Sequence, residues 1–264
     1  MYMKRLIIVI PIYNRQPSKI EEASLEQIAK VMDWDKYDMR LICPDKFTDS
    51  DIMTYARLLH VPYDVYMQHM RYDDDYFSSQ KAYSRLMKNN DLYKSFRGYE
   101  YMLLVQTDAW ILSLDNIEKW MDRGFDYVGA PIISNVAHWP SAPVCGNGGL
   151  SLRRISKFIY MTSLKHICQE VNKNEVCHDY EDVFYCEGMT RHLYIDMPIW
   201  QDAASFAWDM NPDILYAMLD GCLPEVGIHA WAKNIPFWEQ HISIPDYARD
   251  AAYNIHKDFI KCYY

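Results

Sequence analysis

The sequence predicts an α/β fold: a mostly parallel central sheet flanked by helices, followed by a less regular C-terminal half. Three observations carry this. A continuous β-branched run opens the chain, apolar runs then alternate with amphipathic helical patterns, and the alternation weakens after the Gly-rich stretch near residue 146. Strands alternating with helices favour a parallel sheet with right-handed crossovers.

Leu6–Ile12 is apolar without a break, the pattern of a strand covered on both faces. It is too short for a signal peptide, contains Pro11 and lacks a small-residue cleavage site. Pro11-Ile12-Tyr13-Asn14-Arg15 leaves the sheet as a loop. Ser18 with Glu21 three residues on is a capping box for a helix carried by Ile20, Leu25, Ile28, Val31 and Met32. Met39–Cys43 is a second strand ending at Pro44-Asp45, Thr48–Ser50 starts a helix over Asp51–Leu59, and Val61–Met67 is a third strand. The acidic run Asp73-Asp74-Asp75 reads as the start of a helix, Phe77–Phe96, because carboxylates cap and complement a helix N-terminus. Ser79, Gln80, Lys81 and Arg85 give that helix a polar face, by default a solvated one.

Met102–Val105 is the next buried strand, and it ends in Gln106-Thr107-Asp108. Open α/β sheets bind ligands at the carboxyl ends of their strands, so Asp108 is a candidate for a metal or a hydroxyl; a turn or cap role is the plain alternative. Leu114–Arg123 is an amphipathic helix stopped by Gly124, Tyr127–Ile132 a short strand, and Ala137–Val144 a Pro-rich loop. Cys145–Arg154 holds Gly146, Gly148 and Gly149, which let backbone approach a ligand closely or simply make a tight turn. The stretch matches neither a P-loop nor a dinucleotide-binding spacing.

A helix over Ser156–Val171 precedes Asp179, Glu181 and Asp182, more acids than one cap needs. Ala203–Phe206 and Trp208-Asp209 read as strand or loop. His229 sits between apolar neighbours, where a histidine is more often a satisfied core residue than a ligand. Gln240–Tyr264 is expected to be a helix docked on the body. Contact with a membrane surface is the second reading, disfavoured because its few basic residues are balanced by acids. The expected organisation is one domain over 1–240, with a nucleotide-binding half (1–112) and an acceptor half (113–240), and a helical extension over 241–264.

Composition narrows the function. Half of the 264 residues are hydrophobic and 15% aromatic, enough for a large core. The net charge is −9 with no basic stripe, which argues against nucleic acid as a partner. No apolar run approaches the roughly 20 residues that cross a bilayer. Seven cysteines, an odd number without a C-x-x-C, suggest a reduced, cytoplasmic setting. Cys168, Cys177, His178 and Cys186 match no standard zinc spacing and read as buried thiols.

Five short motifs occur in order: QTDAWI, DYVGAPI, GNGGLSLRR, EDVFYC and GIHAW. Together they resemble glycosyltransferases of the GT-A fold, and more narrowly a family labelled only as a domain of unknown function, found in bacterial polysaccharide loci and some eukaryotes. The resemblance runs from about Leu6 to Trp231. It implies a GT-A-like (Rossmann-like) domain in which Pro11, Tyr13, Asn14, Arg15 and Asp45 hold the nucleotide base and ribose. Gln106-Thr107-Asp108 then stands at the family's Asp-x-Asp motif. By the same resemblance Asp108 and His229 would ligate Mn2+ or Mg2+, and Asn147, Gly148 and Gly149 would form the turn beneath the donor and acceptor sugars. Asp182 is implied as the base of an inverting transfer, with Glu181 and Asp209 in reserve. The partners it implies are a nucleotide-sugar donor and a glycan or lipid-linked saccharide acceptor.

Gln106 departs from the pattern, replacing the first Asp, and leaves a metal-independent enzyme or a non-catalytic carbohydrate- or nucleotide-binding protein open. A sugar-phosphate nucleotidyltransferase is the other alternative. Those enzymes carry a Gly-rich basic loop after the first strand, whereas Pro11–Ser18 contains no Gly.

Overall fold

The computed structural model describes residues 4–62, 68–132 and 144–263. In chain order its strands are β1 (Lys4–Pro11), β2 (Asp38–Pro44), β3 (His69–Tyr72), β4 (Tyr99–Val105), β5 (Trp110–Ile111), β6 (Tyr127–Gly129), β7 (Pro131–Ile132), β8 (Val144–Cys145), β9 (Leu150–Arg154), β10 (Ala207–Trp208) and β11 (Gly227–Ile228). The central sheet has six strands in the order β3-β2-β1-β4-β9-β6. β1 runs parallel to β2 and β4, and β2 to β3, whereas β9 is antiparallel to both β4 and β6. Chain order reverses between β1 and β4. The crevice at their carboxyl ends is therefore the topological switch point, where sheets of this class take ligands.

Helices α1 (Lys19–Val31), α2 (Asp49–Leu58), α3 (Gln80–Met87), α4 (Asn90–Ser95), α5 (Ile117–Asp122) and α6 (Ile155–Ser163) cover both faces. Alternate residues of β1 enter opposite cores: Leu6, Ile8 and Ile10 pack with α1, α2 and α5, and Ile7 and Val9 with α3, α4 and α6. β4 does the same with Leu103 and Val105 against Met102 and Leu104. Coverage on both sides is why these strands read as unbroken apolar runs. Each such side chain contributes roughly 1.5–3 kcal/mol by leaving water.

The predicted capping box at Ser18 forms, and a second box, not predicted, starts α2. Ser18 Oγ accepts from Glu21 N at 3.3 Å and Glu21 Oε2 from Ser18 N at 2.8 Å, and Thr48 and Asp51 do the same for α2. Other boundaries need correction. Pro11 belongs to β1 rather than to the loop. A strand is present at His69–Tyr72; the strand expected over Val61–Met67 falls mostly on residues 63–67, outside the described set, as does most of the Ala137–Val144 loop. The single helix expected over Phe77–Phe96 is a 3-10 turn (Asp74–Phe77) followed by α3 and α4. Asp73, Ser79 and Asn89 each cap a fresh start with a side-chain oxygen, so every segment begins anew. The helix over Ser156–Val171 likewise divides into α6 and Lys165–Val171, and Ala203–Phe206 is helical, within Trp200–Phe206.

A third core of Trp110, Trp208, Trp231, Trp238 and Ile228 joins the short sheet β10-β11-β5 to the last helix, Asp246–Tyr263, through Ala248 and Ala252. All seven cysteines are unpaired thiols. Among the described residues, no helix is long and apolar enough to cross a membrane. Trp208 is 0% exposed. Truncating it should cost about 3–5 kcal/mol, so Trp208→Ala is expected to lower the urea midpoint strongly, while a wild-type midpoint would contradict the role of this core.

Candidate functional site

The short sheet sets the geometry. β10 and β11 are parallel, with Ala207 beside Gly227 and Trp208 beside Ile228, so Asp209 and His229 are the next residues in line. β5 is antiparallel to β11, with Ile228 opposite Trp110, which brings Asp108 to the same edge. Trp110, Trp208 and Ile228 are drawn into the Trp-rich core, and the polar residues that follow or precede them emerge at the crevice. Directly after His229 the chain turns through Ala230 in the left-handed region (φ 49°). For a residue with a Cβ that conformation costs roughly 1–2 kcal/mol, and local strain of this kind gathers at functional sites.

His229 stands between two carboxylates. Its Nδ1 is 3.1 Å from Asp209 Oδ1, and its Nε2 is 3.4 Å from Asp108 Oδ1 and 3.0 Å from Gln106 Oε1. Burial alone would lower the imidazole pKa, but Asp108 and Asp209 outweigh it and hold it up at about 10. Burial would raise both carboxyls; His229 reverses this at Asp108, and Lys233 together with His229 reverses it at Asp209, so both lie below the usual range. The Gly-rich turn closes over this group. Gln106 N donates to Gly149 O at 2.8 Å, Gly149 N to Asn147 Oδ1 at 3.0 Å, and Asn147 Nδ2 to Asp209 Oδ2 at 3.0 Å. A Cβ on Gly149 would strike the His229 ring, and one on Gly148 would strike the Glu181 carboxylate. These glycines are cradles for side chains.

The acidic pair divides into two environments. Arg153, on β9 and fully buried, donates to Glu181 Oε1 at 2.8 Å, Tyr93 Oη at 2.9 Å and Gly148 O at 3.2 Å. Asp182 makes no ion pair among the described residues. It accepts from Gly148 N at 3.4 Å and Val183 N at 2.8 Å. Burial first, and the neighbouring Glu181 second, push its carboxyl up to about 7.

Beside this edge lies a cavity of about 330 Å³ lined by Tyr13, Phe77, Ser78, Ser79, Gln80, Tyr83 and Gln106. The Tyr83 hydroxyl is buried without a hydrogen-bond partner. Asn14, Arg15 and Asp45 sit at the β1–β2 end and do not line this cavity. Arg15 is engaged by Asp51 at 2.8 Å and Lys46 O at 2.9 Å. Thr107 corrects an expectation: it is 0% exposed, its hydroxyl is bonded to Glu21 and Tyr13, and it ties loops together rather than facing a ligand. Arg153 and Tyr83 were not foreseen as site residues. A clue to Arg153 lay in LSLRR, where an arginine on a buried strand requires a carboxylate.

A divalent cation fits one part of this group. Among the described residues no three His, Cys, Asp or Glu side chains converge on a common metal position. Yet Asp108 Oδ1 is a buried atom without a hydrogen-bond partner, facing the same His229 nitrogen that meets the Gln106 carbonyl oxygen. Asp209 orients the ring from its far side, as partners of metal-bound histidines do. Ions such as Mg2+ are held by one or two carboxylates plus substrate phosphates rather than by closed protein cages.

The family described as "Protein of unknown function (DUF5672)" matches residues 66–229, more than half of the 264-residue chain. No curated protein sequence matches. Among solved structures, an active-site mutant of LgtC is similar at TM-score 0.57 and 11% identity, covering 92% of this chain and 99% of its own. Mouse xyloside xylosyltransferase 1 in its apo form is similar at TM-score 0.53 and 8% identity, covering 85% and 96%. The glycosyltransferase GlyE of Streptococcus pneumoniae TIGR4 is similar at TM-score 0.51 and 14% identity, covering 96% of this chain and 60% of its own. The fold is the GT-A fold.

Two stability tests follow from the buried charges. Arg153→Met strands Glu181 and should cost about 3–5 kcal/mol, much of it recovered in the double variant with Glu181→Met; an unchanged single variant would refute the pairing. Because the folded-state pKa of Asp182 is raised, its contribution to stability is lost as pH climbs from the ordinary carboxyl range through about 7. Denaturation midpoints of Asp182→Asn should lack that decline, and identical pH profiles for variant and wild type would show the carboxyl to be unperturbed.

Proposed function

The chain belongs to the DUF5672 family, and we propose that this member moves a sugar from a nucleotide-sugar donor to a hydroxyl of a glycan or saccharide acceptor. The observation that carries the reading is the convergence of Asp108, Gln106 and His229 at the switch point, beside a cavity of about 330 Å³. The names of the mouse xylosyltransferase and of GlyE attach this fold to sugar transfer in those proteins.

In this reading Asp108 and His229, with the Gln106 carbonyl, hold Mn2+ or Mg2+. A bound cation supplies Lewis-acid neutralisation of the charge that develops on the departing diphosphate. Gln106 contributes oxygen without charge, so the site carries one negative ligand fewer than an Asp-x-Asp pair. Asp209 keeps the His229 nitrogen aimed at Asp108. Asp182 takes the proton of the acceptor hydroxyl as its oxygen attacks the anomeric carbon and the bond from that carbon to the phosphate oxygen breaks. A single displacement of this kind inverts the anomeric centre. A carboxyl raised to about 7 is a stronger base than an ordinary one and is still ionised above neutrality. Glu181, bound to Arg153, holds the segment rather than the proton.

A thermal-shift screen of UDP-, GDP-, CMP- and dTDP-sugars with and without Mn2+ tests this directly, since a ligand of the folded state raises the melting temperature. One donor should stabilise the protein more with Mn2+, and Asp108→Ala should abolish the increment. Binding and hydrolysis of none of them would overturn the reading. Asp182→Asn should retain donor binding and lose transfer by about 10²–10⁴-fold, and the wild-type rate should rise as pH passes about 7. Near-normal turnover in that variant would put the base elsewhere.

A further inference from the structure

Three side chains from separate segments form a chain of hydrogen bonds with only one possible direction. The Thr107 hydroxyl lies 2.6 Å from Glu21 Oε1, and the Tyr13 hydroxyl lies 3.1 Å from Thr107 Oγ1. A carboxylate only accepts, and a threonine hydroxyl has a single proton. Thr107 must therefore donate to Glu21, so Tyr13 must donate to Thr107. The Tyr13 oxygen then has nothing but lone pairs to offer a ligand, and Tyr13 lines the cavity.

Glu21 cannot swing away from this task. Its Oε2 accepts from Ser18 N at 2.8 Å in the capping box, the residue is 6% exposed, and Thr107 is 0% exposed. One carboxylate thus starts α1 with one oxygen and sets the polarity of the cavity wall with the other.

We propose that Glu21 is a positioning residue: through Thr107 it fixes the Tyr13 phenol as a hydrogen-bond acceptor, so the ligand meets it with a donor such as a ribose or hexose hydroxyl. A phosphate oxygen, which has no proton to give, is refused at that point and belongs at the Asp108 edge. The class of ligand rests on the nucleotide-sugar reading; the polarity of Tyr13 does not.

Glu21→Gln is the informative variant. Its carbonyl can keep the bond to Ser18 N while its amide donates to Thr107, which turns the Thr107 proton onto Tyr13 and the Tyr13 proton into the cavity. In ligand-free protein labelled with ¹³Cζ-tyrosine, the resonance missing from Tyr13→Phe identifies Tyr13. That resonance should move in Glu21→Gln and in Thr107→Val, with the melting temperature of Glu21→Gln close to wild type. An unmoved resonance in Glu21→Gln would overturn the proposal, whatever the variant's stability.

With UDP-glucose as the probe, Tyr13→Phe and Glu21→Gln should each weaken binding about tenfold, the loss of one hydrogen bond to a ligand, and the double variant should be no worse than either. Losses that multiply would mean Glu21 acts apart from Tyr13, which also overturns it. Should UDP-glucose fail to bind the wild type, the nucleotide-sugar reading suffers, and the tyrosine resonance alone decides the role of Glu21.

Discussion

An imidazole held between two carboxylates is the constraint around which the carboxyl edge of this sheet is built. His229 meets Asp209 on one side and Asp108 on the other, and neither contact survives a slip of register in the short sheet β10-β11-β5. Two-residue strands have little hydrogen bonding with which to hold a register. The indole rings of Trp110, Trp208 and Trp231 supply what the backbone cannot, because a large buried side chain fits in one place only. The C-terminal helix closes that core. Parts of the chain remote from the crevice thereby decide where its polar groups stand.

The same economy appears in the Gly-rich turn. Gly148 and Gly149 are needed less for unusual backbone angles than for the space beside them, taken by the Glu181 carboxylate and the His229 ring. The turn also joins the two acidic groups of the crevice. Asn147 reaches Asp209 on the His229 side, and Gly148 N reaches Asp182 on the other. Arg153 then sets adjacent acids in different surroundings: it pairs with Glu181, while Asp182 is held by the Gly148 and Val183 N–H groups and its carboxyl is pushed up to about 7.

Much of this was legible in the chain, for local reasons. A strand covered on both faces must be apolar throughout, and β1 and β4 were recognisable on that ground. A capping box is complete within four residues, so Ser18–Glu21 could be read directly. Boundaries failed where several caps compete: Asp73, Ser79 and Asn89 cut what periodicity joined into one helix.

By itself the sequence determined the α/β class, the strands β1, β2 and β4 and candidate residues at the carboxyl edge, because each depends on patterns spanning a few neighbours. Asp108 and His229 were candidates in isolation, and the order of the motifs brought them together. Only the tertiary structure decided what each group faces. That Thr107 turns inward to Glu21, that Arg153 takes Glu181 and leaves Asp182, and that Asp209 steadies His229 all follow from register between segments far apart in the chain. Side chains on strands alternate between two faces, so a shift of one residue would exchange inward and outward groups. That choice is made by packing across the whole sheet, which no short stretch of sequence contains.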